Sequence, residues 1–234
     1  MNWDLRTSVA CIATASMLGV VGAGSAAAQE RQVRVSQQVT LLSGRCESCN
    51  LAGTSLIGAK LTSGVFTKSD FSRARLQRVN AAGSFFKQAD FTRADMSYAR
   101  LTGGTFDDAR FQETVLAHAD ASGAILKKAN FTGADLTSAQ FLQANLEGAT
   151  FREATAKSTQ FLRANLRNSD FRQATLTETM FGGADLTGAQ FQGATFVGAD
   201  LVGVRGLTQK QLKDSCGDRT TKLPAGITLR TCAK

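Results

Sequence analysis

Phe71, Phe91, Phe111, Phe131, Phe151, Phe171 and Phe191 stand twenty residues apart, and between them small and large apolar residues recur every five positions without insertion or deletion. Self-similarity at a fixed period marks an array of stacked units. A period of five fits neither the 3.6 of a helix nor the 2 of a strand, so the chain turns a corner at every unit. Four units make one circuit of twenty residues. This pattern constrains the fold more tightly than any local propensity.

With the large apolar residue of each five as its centre, the register runs from Leu51 to Leu201 as 31 units over residues 49–203. Two positions before the centre the side chain is small, usually Ala. The position just before the centre is polar, often Asp or Asn, and the two after it are mostly polar or Gly. The centre and the small residue therefore face inward, the residue between them faces out, and the next two form a turn. Gly is frequent there, as at Gly53 and Gly133, because a tight turn can demand positive φ. Nearly eight coils at ~4.8 Å each would give a rod of roughly 37 Å.

Each side of the coil becomes a ladder of like residues. The first side stacks Leu51 and the seven phenylalanines; the second begins Leu56, Leu76, Met96. The third runs from Leu61 through Phe141, Phe161 and Phe181 to Leu201. The fourth runs Phe66, Phe86, Phe106 and then Leu126, Leu146, Leu166, Leu186. Stability is expected from coil-on-coil stacking, as in other solenoids.

The ends read differently. Residues 1–28 resemble a secretory signal, with Arg6 in a positive leader, an apolar run from Ser8 to Gly24 and small residues before Gln29, predicting cleavage near Ala28. That places the mature chain in a bacterial periplasm or outside the cell; retention as an anchor is the alternative. Residues 29–48 alternate enough (Val33, Val35, Val39, Leu41) to suggest a strand covering the first coil. Residues 204–234 read as a C-terminal cap. Thr208 and Gln211 have capping-box spacing, which predicts a short helix through about Ser215 that stops near Gly217.

Four cysteines follow the signal, and an oxidising compartment favours disulfides. Three pairings exist; Cys216–Cys232 is favoured because both lie in one short terminal module. Cys46 and Cys49 have CxxC spacing without the helix or the His partners of a redox or zinc site. They read as a local bridge or as two inert thiols.

The A-[D/N]-[L/F]-x-x pattern, cleanest at residues 129–133, 134–138 and 184–188, resembles the pentapeptide-repeat family. The resemblance covers two-thirds of the chain. It implies an all-β fold, a right-handed quadrilateral β-helix of about eight coils with a short helix-containing cap. Members that protect DNA gyrase are acidic cytoplasmic DNA mimics. This chain carries a net charge of +8 and reads as exported, so it departs from them on both counts.

Catalysis finds little support: no phosphate loop, metal-ligand cluster or nucleophile motif appears, no cofactor is implied, and the single His118 falls in a turn. The chain is thus expected not to be an enzyme. Two surface features remain. One is an apolar outward row before the fourth-side centres, Val65, Phe85, Thr105 and Ile125, with a smaller row, Leu142 and Leu162, on the third side. Such a stripe marks a protein partner or self-association. The other is a basic patch in the first coils, Arg73, Arg75, Arg78, Arg93 and Arg100. It suits an anionic polymer or a membrane surface, while the few aromatics outside the core argue against specific nucleic-acid recognition.

Overall fold

The computed structural model describes residues 44–233. The signal expected at 1–28 and most of the strand expected over 29–48 lie outside the described residues. Within them the twenty-residue period is a physical circuit. Parallel bridges join residues twenty apart, from Arg45↔Val65 to Asp185↔Arg205. Three inter-coil hydrogen bonds recur in each unit. At Phe71 the centre N–H donates to the Asp90 carbonyl (2.7 Å). The preceding Asp70 N–H donates to Cys49 (2.8 Å), and the turn N–H of Arg73 donates to Thr92 (2.9 Å). Most backbone groups thus pair with the neighbouring coils, and a chain with almost no regular strand is still bonded along its whole repeat.

Each corner is a tight turn. The N–H three residues after the centre donates to the centre carbonyl, as from Ala74 to Phe71 (3.0 Å), and the intervening third residue takes positive φ. The sequence suggested glycine for this place. Most of these positions instead carry side chains, among them Lys68, Arg93, Tyr98 and His118 with φ of 59–61°. The stacked hydrogen bonds hold them in a region that non-glycine residues seldom occupy.

The polar residue before each centre has a specific task. The Oδ1 of Asp70, Asp90, Asp95, Asp120, Asp135, Asp170, Asp185 and Asp200 each accepts the N–H two residues on, at 2.8–3.1 Å. Asn50, Asn80, Asn130 and Asn145 do the same. These Asx turns tie down an N–H that the ladder leaves unpaired and explain why Asp and Asn recur.

The core is a single column of side chains. Rings of the phenylalanine ladder stack with centroids 5.1, 5.0, 4.8, 4.9, 4.5 and 5.3 Å apart from Phe71 to Phe191. Facing sides add edge-to-face pairs such as Phe131–Phe141 at 5.9 Å. Where Ser or Thr replaces the small Ala, its hydroxyl is buried but bonded. Thr114 Oγ1 donates to the Phe91 carbonyl (2.7 Å) and Thr159 Oγ1 to that of Leu136 (2.7 Å).

Two boundaries move. Arg45–Ser48, expected in a capping strand, already belong to the first coil: Arg45 bridges Val65, Cys46 donates to the Val65 carbonyl (2.7 Å), and Cys46 is buried as a centre would be. The register therefore begins one unit earlier, with Cys in the place of Leu. A Cys46–Cys49 disulfide closes that unit, with Cα atoms 5.6 Å apart. At the other end the expected helix is one 3₁₀ turn, Gln209–Leu212. Gln211 Oε1 does accept the Thr208 N–H (2.7 Å), but Lys213 turns extended at φ −55°, ψ 134°. Leu212 must enter the core and Cys216 must reach the Thr195 ladder, which leaves no length for a longer helix.

The last coil ends in side-chain substitutes for a missing neighbour. Gln211 Nε2 donates to the carbonyls of Leu186 (2.7 Å) and Ala189 (2.9 Å). Cys216 and Lys222 supply carbonyls to Phe196 (2.7 Å) and Leu201 (2.9 Å). Strands β1 (Cys216–Gly217) and β2 (Arg230–Thr231) pair in parallel beside the Cys216–Cys232 disulfide. Asp218 Oδ1 accepts the Gly198 N–H (3.1 Å), standing in for the carbonyl of an absent coil. The Thr220 hydroxyl, then the Gly198 amide and the other Thr donors, hold the Asp218 carboxyl at about 2. Its folded value lies below the usual ~3.9 of an unfolded Asp, so its stabilising effect is complete above about pH 4 and is lost as pH falls toward 2. Hydrogen exchange at the last coil should accelerate across that window, and Asp218→Asn should flatten the change; an unaltered profile in the variant refutes the assignment.

Candidate contact faces

The outward row of the fourth side is one continuous ladder, Val65↔Phe85↔Thr105↔Ile125, joined by parallel bridges. Phe85 is 48% exposed and Ile125 40%, while Val65 is half-buried. Alternating charges flank the row two residues on: Lys87, Asp107, Lys127, Glu147 and Arg167. Lys127 Nζ lies 3.7 Å from Glu147, and its backbone N–H donates to Asp107 Oδ1 (3.1 Å). These are exposed pairs, each worth at most about 1 kcal/mol.

The third-side row is less exposed. Leu142 and Leu162 are half-buried and line an open groove of about 980 Å³ whose floor continues over Gly182 and Gly203. Leu162 leans over Gly182, where an added Cβ would come within 3.3 Å of its Cδ2. Val202, 54% exposed, and Met180, 41% exposed, extend this surface. Neither belongs to the rows that stand out in the sequence, although Val202 shares the twenty-residue register of Leu142 and Leu162.

The five arginines divide among the sides. Arg73 and Arg93 follow first-side centres, and Arg93 is held by Glu113 through two hydrogen bonds (2.8 and 3.1 Å). Arg75 and Arg78 belong to the second side and Arg100 to the third. Arg75 bridges Asp95 in the ladder, and Arg78 lies over the Tyr98 ring at 5.9 Å. Tyr98 in turn stacks on His118 at 4.8 Å. Arg78, Tyr98 and His118 stand twenty apart in the turn register and form one column, so His118 is more than the isolated turn residue expected from the sequence. His118 is exposed.

Among the described residues no group of three or more His, Cys, Asp or Glu is placed to hold a metal ion. No described helix is long and apolar enough to cross a membrane. What the geometry offers is flat, rigid faces whose side chains are spaced by one coil.

Profiles of pentapeptide repeats match residues 45–78, 69–108 and 106–141, and a pentapeptide repeat region profile matches 124–201. The chain is a pentapeptide-repeat protein. The match begins at 45, in accord with the earlier start of the first coil. No curated protein matches this pentapeptide-repeat chain in sequence. Among solved structures, a trypsin-treated form of QnrB1, a plasmid-mediated fluoroquinolone resistance protein, is 21% identical over 76% of this chain and 90% of its own, with a TM-score of 0.48. HetL, involved in heterocyst differentiation regulation in the cyanobacterium Nostoc, is 25% identical over 74% of this chain and 86% of its own, with a TM-score of 0.27. A pentapeptide-repeat protein of the Arabidopsis thaliana thylakoid lumen is 31% identical over 47% of this chain and 73% of its own, with a TM-score of 0.32. Likeness at this level assigns no partner to this pentapeptide-repeat protein.

Proposed function

We propose that this protein is a non-catalytic, exported rod of about eight coils, capped at both ends, whose flat sides bind protein. The observation that carries the reading is the exposed pair Phe85 and Ile125 on one rigid ladder. A large apolar side chain held out on a scaffold that cannot fold it away is a contact waiting for a surface. Phe85→Ser with Ile125→Ser should leave far-UV circular dichroism and thermal midpoint unchanged, because neither side chain enters the core. The same double variant should lose partners that the wild type retains from periplasmic extract in high salt. Equal retention by both proteins sinks the reading. Export itself predicts a mature N-terminus at Gln29.

A second reading has its own support. Arg73, Arg78 and Arg100 have no acidic partner among the described residues, and they occupy the coils where the chain is most basic. Binding of an anionic polymer or lipid headgroups there would weaken steeply with salt, whereas apolar contacts would not.

A further inference from the structure

We infer that the fourth side is a self-complementary face that pairs two copies of this chain antiparallel. This rests on the reading of that side as a contact surface and names its occupant. On the fourth side, coils follow one another at Arg45, Val65, Phe85, Thr105, Ile125, Asn145, Asn165 and Asp185, each bridged to the next. The corner column beside them reads Glu47, Thr67, Lys87, Asp107, Lys127, Glu147, Arg167, Thr187.

Two such faces laid together in parallel, about a two-fold along the rod, set the central column against itself, Arg45 on Arg45 and Asp185 on Asp185, and turn the charged corner column toward the uncharged corner of Gly83, Gly103 and Gly123. Laid antiparallel about a dyad between the coils of Thr105 and Ile125, Lys87 meets Glu147 of the second copy and Asp107 meets Lys127. In the next column Asp108 meets Lys128, and in the central column Arg45 meets Asp185. No like charges oppose one another. A slip of one coil either way destroys this, setting Lys87 against Lys127 or Asp107 against Glu147. The alternation therefore selects one orientation and disfavours its neighbours, as charge patterns do where they set register.

The apolar groups fall where this arrangement needs them. Phe85 and Ile125 of both copies gather around the dyad, and they are the exposed apolar residues of this side. On the adjoining corner Gly83, Gly103 and Gly123 face open space, so no side chain there holds the two faces apart. The ion pairs within one copy, Lys127–Glu147 and Arg167–Asp185, account for some of the alternation. They do not account for its agreement with exposed Phe85 and Ile125 at the centre.

Zero-length carbodiimide coupling of the full chain, mixed from unlabelled and ¹⁵N-labelled protein, tests this directly. Lys87 and Glu147 stand three coils apart, roughly 14 Å at ~4.8 Å per coil, beyond a zero-length link within one molecule. The expected product is a Lys87–Glu147 peptide of mixed isotope content. Sedimentation should show a dimer whose Kd rises at least ~10-fold between low and high salt. The acidic variant Lys87→Glu/Lys127→Glu and the basic variant Asp107→Lys/Glu147→Lys should each be monomeric alone and should dimerise on mixing, which also shows that both have folded. A monomeric wild type, absence of the mixed link, or a dimer cross-linked through another face overturns the inference. A monomeric wild type that still loses extract partners on Phe85→Ser/Ile125→Ser overturns self-association alone and leaves this side a contact for a different protein.

Discussion

Phe131→Ala is expected to destabilise the protein by about 3–5 kcal/mol, the cost of emptying a large buried aromatic site. Phe131 is fully buried. Its ring lies between those of Phe111 at 4.8 Å and Phe151 at 4.9 Å and meets Phe141 edge-on. The backbone on either side is fixed by three inter-coil hydrogen bonds per unit, so the coil cannot collapse into the space. Phe131→Leu retains most of the burial and loses the ring stacking, at about 1 kcal/mol per aromatic pair. Leu51→Ala, at a half-buried centre of the first coil, should cost clearly less than Phe131→Ala. Denaturant unfolding of the three variants orders them. Equal losses for Phe131→Ala and Leu51→Ala would show that stability does not come from coil-on-coil burial.

The same solenoid logic explains what the sequence displayed and what it concealed. Periodicity alone assigned each side chain of the repeat an inside or an outside, because stacking makes every twentieth residue a neighbour. The buried phenylalanines and the Asx role of the aspartates follow from that one rule. The rule weakens where the repeat weakens. Cys46 occupies a centre although it is neither Leu nor Phe, so a pattern built on large apolar residues begins one unit late. The helix after Thr208 was overextended because capping chemistry predicts where a helix starts, whereas its end here is set by Leu212 and Cys216 seeking the last coil. The candidate faces were legible in part. Phe85 and Ile125 stood out as apolar residues in a polar register, but the Tyr98–His118 stack and Val202 appear only when every outward column is read at the same period.

Cys216→Ser/Cys232→Ser is expected to cost about 3 kcal/mol, the loop-entropy value for a closed loop of about fifteen residues. The two cysteines are 16 apart in sequence with Cα atoms 4.8 Å from one another. The effect should be local. Residues 216–222 give the last coil two of its carbonyl partners, and β2 is tied to them by the disulfide and by the Cys232 N–H to Gly217 carbonyl bond (2.9 Å). Without the crosslink this terminal segment opens more often and uncovers Phe196 and Leu201, both fully buried when it is in place. In hydrogen exchange the amides of Phe196 and Leu201 should lose protection while Phe131 keeps its own, since a solenoid transmits stability only between neighbouring coils. The equivalent change at Cys46 and Cys49, three residues apart, removes a far smaller loop and should cost about half as much, roughly 1.5 kcal/mol by the same relation. Equal loss of protection along the whole rod would show that the end module governs global stability, against the nearest-neighbour account.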